Sequence, residues 1–199
     1  TCVSAGDHVL FPDSAYGPTA RFCERRLRET GVSADRYDPL IGAGIEALLK
    51  PETKAIFIES PGSLTFEVSD TPAIVAVARK RGIRTICDNT WGAGLLHRPL
   101  ALGADLCVQA LTKYAVGHAD AFGGAVMTND SALAGKILAT AEEWGIGLAP
   151  DDAYLAVRGL RTLATRLRAH EAAGLEMAHW LAARPEVAVV LHPALPSSP

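Results

Sequence analysis

Four cysteines are scattered through 199 residues, and none stands in a C-x-x-C or zinc-ligand spacing. That pattern excludes a zinc finger and a thioredoxin-type redox pair, and no metal site is expected. Cys87 and Cys107 lie inside apolar runs, where a cysteine usually serves as a small core residue. Reduced thiols and a cytoplasmic protein are therefore expected. No apolar run approaches the roughly 20 residues that a membrane span needs, so no membrane partner is expected. The net charge is −3, with no basic stripe to hold nucleic acid and no charged block to act as a tail. A P-loop and a dinucleotide-type glycine loop are both absent. Gly123-Gly124 sits in a strand context and reads as close packing. Internal repeats, low-complexity segments, a signal-peptide pattern and an initiator methionine are also missing. The last residues, from Pro193 to Pro199, are loop-like, and both ends read as cut.

What is present is ordinary globular composition, 49% hydrophobic and 21% charged, enough for one sizeable core. Short continuous apolar runs alternate with helical patterns. Strands are expected at His8–Phe11, Lys54–Glu59, Arg84–Asp88, Leu106–Ala110 and Gly123–Met127. Helices are expected around Thr19 to Thr30 and over Thr71–Arg81, where Ile74, Val77 and Ala78 share a face and Gly82 is the stop. Unbroken apolar strands suit a largely parallel sheet buried on both faces, which is an α/β class. Helical spacing then runs almost without interruption from Asp151 to Arg184, with Arg158, Arg161 and Arg168 along a solvated stripe. A last strand, Val187–Leu191, is expected to open a second domain.

Two residues at the ends of predicted strands carry chemistry. Lys113 follows the run that ends at Ala110, and Asp88 closes the run before it. In open α/β sheets, ligands bind beyond the carboxyl ends of the strands. Alone, Lys113 is compatible with a loop lysine and Asp88 with a helix cap. Together they match what pyridoxal phosphate requires: an amine to condense with its aldehyde and a carboxylate to pair with its pyridinium nitrogen. Thr112 could donate its hydroxyl to a phosphate, or simply favour a strand. Tyr16, just past the first strand, could stack on a flat ring, or be a partly buried loop tyrosine. His118 reads as a structural histidine.

These residues lie in segments that resemble the cysteine/methionine-metabolism family of pyridoxal-phosphate enzymes, which includes cystathionine β-lyases, γ-synthases and γ-lyases and methionine γ-lyases. The resemblance rests on Gly6-Asp7-His8-Val9-Leu10, Ala15-Tyr16-Gly17-Pro18-Thr19, Tyr37-Asp38-Pro39, Glu59-Ser60-Pro61-Gly62-Ser63, Asp88-Asn89-Thr90-Trp91 and Thr112-Lys113-Tyr114 with Gly117-His118. It continues through Arg158-Gly159-Leu160-Arg161-Thr162-Leu163 and His192-Pro193-Ala194-Leu195-Pro196. Within the family, Gly62-Ser63 stands where many members have E-S-P-x-N-P, and Trp91 stands where many have D-N-T-F. Both forms resemble the bacterial cystathionine β-lyase branch. One position departs from the family: where many members have S-x-T-K, this chain has Ala110, leaving Thr112 as the main phosphate group of that turn.

The resemblance implies an aspartate-aminotransferase-like PLP-dependent transferase fold with the start of a C-terminal α/β domain. The division implied is residues 1–158 for the cofactor-binding domain and 159–199 for the linking helix and the start of the next. It implies pyridoxal 5'-phosphate as cofactor, an amino-acid substrate, no nucleic acid, and assembly into a homodimer or homotetramer. Lys113 would bind the aldehyde and move protons, Asp88 would pair with the ring nitrogen, and Tyr16 would stack on the ring and assist proton transfer. Thr112 would contact the phosphate, and Trp91 would shape the pocket. The reaction implied is a carbon–sulfur β-lyase cleavage of cystathionine. Alternatives are γ-elimination or γ-replacement on the same scaffold, or a non-catalytic truncated relative. The family's phosphate-cradling glycine turn and carboxylate-gripping arginine would lie outside the chain, so little turnover is expected of these 199 residues alone.

Overall fold

The computed structural model describes residues 1–196 and Ser198. In chain order it contains β1 (His8–Pro12), α1 (Gly17–Arg21), a π-helical turn (Phe22–Arg26), α2 (Leu27–Glu29), β2 (Ser33–Tyr37) and a 3-10 turn (Gly42–Leu48). There follow β3 (Thr53–Glu59), α3 (Thr71–Lys80), β4 (Arg84–Asp88), β5 (Leu106–Ala110), β6 (Gly124–Met127), α4 (Ser131–Glu143), α5 (Pro150–Leu160) and α6 (Leu163–Ala182). The strands form one sheet in the order β2-β1-β3-β4-β5-β6. All neighbours are parallel except β5 and β6, which are antiparallel.

The apolar strands are continuous because helices cover both faces. Leu10, Ile56, Ile58 and Cys87 pack with Ile45 and with Ile74, Val75 and Ala78 of α3. Val9, Phe11 and Ala55 pack on the other side with Ala20 and Cys23. Each fully buried Leu, Ile or Phe contributes roughly 1.5–3 kcal/mol, so this double burial dominates the stability of the sheet. All four cysteines are free thiols, and three of them are buried. Burial pushes the Cys23 thiol up to about 11. Among the described residues, no helix is long and apolar enough to cross a membrane.

Helix α3 begins where its sequence says it should. Asp70 accepts a hydrogen bond from the Ala73 N–H at 3.1 Å, and a proline lies in the first turn. Gly82 then takes a φ of +65°, a conformation glycine adopts without steric cost.

Three elements differ from the sequence-based reading. β2 is a strand even though Ser33-Ala34-Asp35-Arg36-Tyr37 is largely polar. It is the sheet edge, where only Ala34 and Tyr37 need to be buried. α4 also goes unannounced, because Leu133 is its only buried residue. Conversely, Val187–Leu191 forms no strand. An isolated strand leaves its N–H and C=O groups unpaired, and no strand among the described residues lies beside it. The proposed division between residues 158 and 159 falls inside α5, just before the helical break at Arg161 and Thr162.

The order of the strands creates the site. β1 has β2 on one side and β3 on the other, so the chain reverses direction across the sheet at β1. The crevice beyond the carboxyl ends of β1 and β3 is thus a topological switch point, the usual ligand position in an open α/β sheet. α5 seats against the neighbouring turn after β5 through Gly159. A methyl group at that glycine would be driven into the carbonyl oxygens of Ala115 and Val116. Gly159→Ala is expected to destabilise the fold by about 1–3 kcal/mol through overpacking, read from the urea unfolding midpoint. An unchanged midpoint would show that α5 does not rest there.

Candidate functional site

Lys113 stands in a turn that its own backbone braces. Its N–H donates to the Ala110 carbonyl at 3.1 Å, and its carbonyl accepts from the Gly117 N–H at 2.8 Å. The Val116 N–H closes the turn onto the Leu111 carbonyl at 2.9 Å. The Lys113 side chain is exposed, and its Nζ lies 5.7 Å from the centroid of the Tyr16 ring. That is within the range of a cation–π contact. Tyr16 follows β1, and Lys113 follows β5. Those strands stand roughly 14 Å apart at a spacing of about 4.8 Å per strand, so the two side chains meet across the ends of β3 and β4.

Those two intervening ends carry carboxyl groups. Glu59 closes β3 and Asp88 closes β4, and the two are partners in the parallel register. Asp88 is half-buried, and its Oδ1 accepts from the Thr90 N–H at 2.8 Å. Among the described residues, no hydrogen bond takes up its Oδ2. The Thr90 hydroxyl accepts from the Ala110 N–H at 2.9 Å, tying the loop after β4 to the end of β5. Next to it, Asn89 is fully buried; its N–H donates to the Val108 carbonyl at 2.9 Å and its Nδ2 to the His97 carbonyl at 3.0 Å.

Glu59 is absent from the sequence-based list of candidates, yet it is only 3% exposed at the centre of this group. Its Oε2 accepts from the Tyr16 N–H at 2.8 Å, and its Oε1 accepts from the Ser63 hydroxyl at 2.5 Å. Burial pushes its carboxyl above the ordinary glutamate range. The bonds from Ser63 and Tyr16 oppose that rise, and the neighbouring Asp88 charge adds to it. A signal was available: a glutamate closes the apolar run Ala55-Ile56-Phe57-Ile58, just as Asp88 closes the next one.

The remaining candidates fall around this centre. Trp91 is partly exposed, packs edge-on against Phe66 at 5.2 Å and lies 6.4 Å from Tyr114. Tyr114 in turn lies 5.8 Å from His170 of α6, so an aromatic wall runs from the loop after β3 to the last helix. Thr112 is already engaged with Gly123: its Oγ1 donates to the carbonyl at 3.2 Å and accepts from the N–H at 3.1 Å. His118 is exposed, with Nδ1 2.9 Å from the Val116 carbonyl, away from any reactive partner. Arg158, Arg161 and Arg168 are exposed, and Arg158 pairs with Asp120 at 3.5 Å.

These groups fit pyridoxal phosphate at its ring end. An amine able to react with the aldehyde faces a flat aromatic ring, and an acceptor oxygen with no hydrogen-bond partner among the described residues lies at the intervening strand end. At the phosphate end, Thr112 could take part only by giving up its bond to the Gly123 carbonyl.

The pattern of the Cys/Met metabolism PLP-dependent enzyme family matches residues 1–199. The chain is 47% identical over 198 residues to the cystathionine beta-lyase MetC of Escherichia coli, covering 98% of this chain and 50% of that protein. The crystal structure of metB from Corynebacterium glutamicum superimposes with a TM-score of 0.97 at 33% identity, covering 99% of this chain and 51% of the other. Cystathionine gamma-lyase from Lactobacillus plantarum, complexed with L-serine, gives 0.96 at 34% identity over 99% of this chain and 52% of its own. The chain spans about half the length of these relatives. The fold is therefore the PLP-dependent transferase fold.

The tie between the β4 loop and β5 can be tested directly. Thr90→Val keeps the shape but removes the acceptor for the Ala110 N–H, and a cost of about 1–3 kcal/mol is expected in denaturant unfolding. Thr90→Ser should retain most of the stability. Equal stability of the valine variant and the parent would contradict the tie.

Proposed function

The chain belongs to the Cys/Met metabolism PLP-dependent enzyme family, and on that premise we propose that it carries the cofactor-binding centre of a carbon–sulfur β-lyase. The proposed reaction converts L-cystathionine and water to L-homocysteine, pyruvate and ammonia, with other cysteine S-conjugates as related substrates. The observation that carries this reading is the meeting of Lys113 Nζ and the Tyr16 ring at 5.7 Å across the strand end that bears Asp88.

When bound, pyridoxal phosphate supplies an electron sink that makes the substrate Cα–H acidic. Lys113 would hold the cofactor through its Nζ, and the same amine, when free, would take the proton from the substrate Cα and give one to the leaving sulfur, which is general base and general acid work at one atom. Asp88 would pair with the pyridine nitrogen; its Oδ1 is fixed by the Thr90 N–H, which leaves Oδ2 without a hydrogen bond among the described residues. Tyr16 would present its ring face to the cofactor and its hydroxyl to the incoming substrate amine. Thr112 would contact the phosphate by turning its hydroxyl away from Gly123. Trp91, held by Phe66, limits the space beside Asp88. Assembly into a dimer or tetramer belongs to the same proposal and rests on the family resemblance.

Ser63, Trp91 and the 47% identity to a protein named cystathionine beta-lyase favour β-cleavage. A γ-elimination or γ-replacement enzyme is the second reading, favoured by the TM-scores of 0.97 and 0.96 to metB and to a cystathionine gamma-lyase. Product analysis separates them. Full-length protein given L-cystathionine is expected to release pyruvate and homocysteine; 2-oxobutyrate with cysteine would replace the β reading by the γ one. Lys113→Ala is expected to lower kcat by at least about 10²-fold, the scale of a lost general base.

A further inference from the structure

We propose that Glu59 is a positioning residue of the cofactor site, a two-sided carboxyl bridge that holds the Tyr16 ring in place against Lys113. The inference rests on the pyridoxal phosphate reading of the site. It starts from where Glu59 stands: at the end of β3, between the ends of β1 and β4, fully covered, and opposite Asp88 in the register.

Its two oxygens reach two different loops. Oε2 takes the Tyr16 N–H at 2.8 Å, while the Tyr16 carbonyl accepts from the Ala20 N–H at 3.0 Å. Tyr16 is therefore pinned through both backbone groups, from the sheet on one side and from α1 on the other. No side chain caps that helix, so the carboxyl of Glu59 is the anchor on the sheet side. Oε1 takes the Ser63 hydroxyl, and the Ser63 N–H donates to the Ser14 carbonyl at 2.8 Å. The loops after β1 and β3 are thus laced together around Glu59.

Two further features show how tightly that lacing is built. A methyl group at Gly62 would lie 2.5 Å from the Ser14 hydroxyl oxygen, so the two loops approach as closely as a glycine allows. Beyond Ser63, Leu64 and Phe66 hold φ values of 70° and 64°, left-handed positions that are strained for bulky residues and cluster at ligand sites. Phe66 then packs on Trp91 at 5.2 Å. One carboxyl group therefore joins the Tyr16 loop, the start of the strained loop and, through it, the aromatic wall.

The bridge does not need a charge. As a carboxylate, Glu59 accepts both bonds. As an acid, it donates from Oε1 to the Ser63 oxygen and still accepts the Tyr16 N–H at Oε2. Burial beside Asp88, which disfavours a second ionised carboxyl, is compatible with either form. A glutamine amide can reproduce the acid form bond for bond; an aspartate is too short to reach both loops, and an alanine reaches neither.

The test uses the intact protein and pyridoxal phosphate, with two readouts besides turnover: the visible circular dichroism of the bound cofactor and hydrogen exchange at the Tyr16 amide. Glu59→Gln is expected to keep the dichroic band and the exchange rate within about twofold of the parent. Glu59→Ala is expected to lose more than half of the band and to exchange the Tyr16 amide about tenfold faster, the upper scale of one lost hydrogen bond. Glu59→Asp serves in its place if the alanine variant does not fold, with the same expectation. An alanine or aspartate variant that matches the parent overturns the inference, and so does a glutamine variant as damaged as the alanine one. A parent protein that shows no cofactor dichroism at all overturns the pyridoxal phosphate reading instead, and with it the role given to the bridge.

Discussion

The parallel register that sets Glu59 opposite Asp88 is the constraint on which the rest of the site depends. A sheet covered by helices on both faces leaves little freedom in register, since a slip of one residue would exchange the two buried faces. β3 and β4 must therefore stop level with each other, and the residues that stop them are both acids. Two carboxyls side by side in the register disfavour each other's ionisation. The surroundings treat the two differently. Glu59 is buried and carries the penalty of ionisation, while Asp88 is half-exposed and fixed through one oxygen. The strand ends thus supply one carboxyl suited to structure and one suited to a cationic ring.

Around that pair, strands far apart in the sheet contribute one group each. Tyr16 comes from the end of β1 and Lys113 from the turn after β5, and neither strand touches the other. Their meeting at 5.7 Å depends on the loops being held, not on the strands being adjacent. Hydrogen bonds do that holding: Glu59 to Tyr16, Thr90 to Ala110, and the braced turn from Ala110 to Gly117. α5 and α6 close the far side, through Gly159 against the lysine turn and His170 against Tyr114. The chain belongs to the Cys/Met metabolism PLP-dependent family, and under the proposed function each of these groups would have a task on the one cofactor.

Much of this was legible in the sequence because burial writes itself into strands. Lys54–Glu59, Arg84–Asp88 and Leu106–Ala110 are short runs with apolar centres, and their ends mark the positions of Asp88 and, one turn on, Lys113. β2 and α4 stayed hidden because each buries little: Ala34 and Tyr37 in one, Leu133 in the other. Val187–Leu191 has the residues of a strand but no strand beside it among the described residues, and β-propensity alone does not make a ladder. A glutamate at a strand end reads as a solvated residue, so the sequence does not mark Glu59 as buried. Only the closure of two loops over it, which no local pattern encodes, turns it into a buried bridge.

The central claim is that Lys113 is the amine that holds the cofactor. The most direct measurement is reduction of the pyridoxal-phosphate-loaded protein with borohydride, followed by digestion and mass mapping of the labelled lysine. The account predicts a single pyridoxyl adduct on the peptide that carries Thr112-Lys113-Tyr114. An adduct on Lys50, Lys54, Lys80 or Lys136, or no adduct on a protein that has taken up the cofactor, would contradict it.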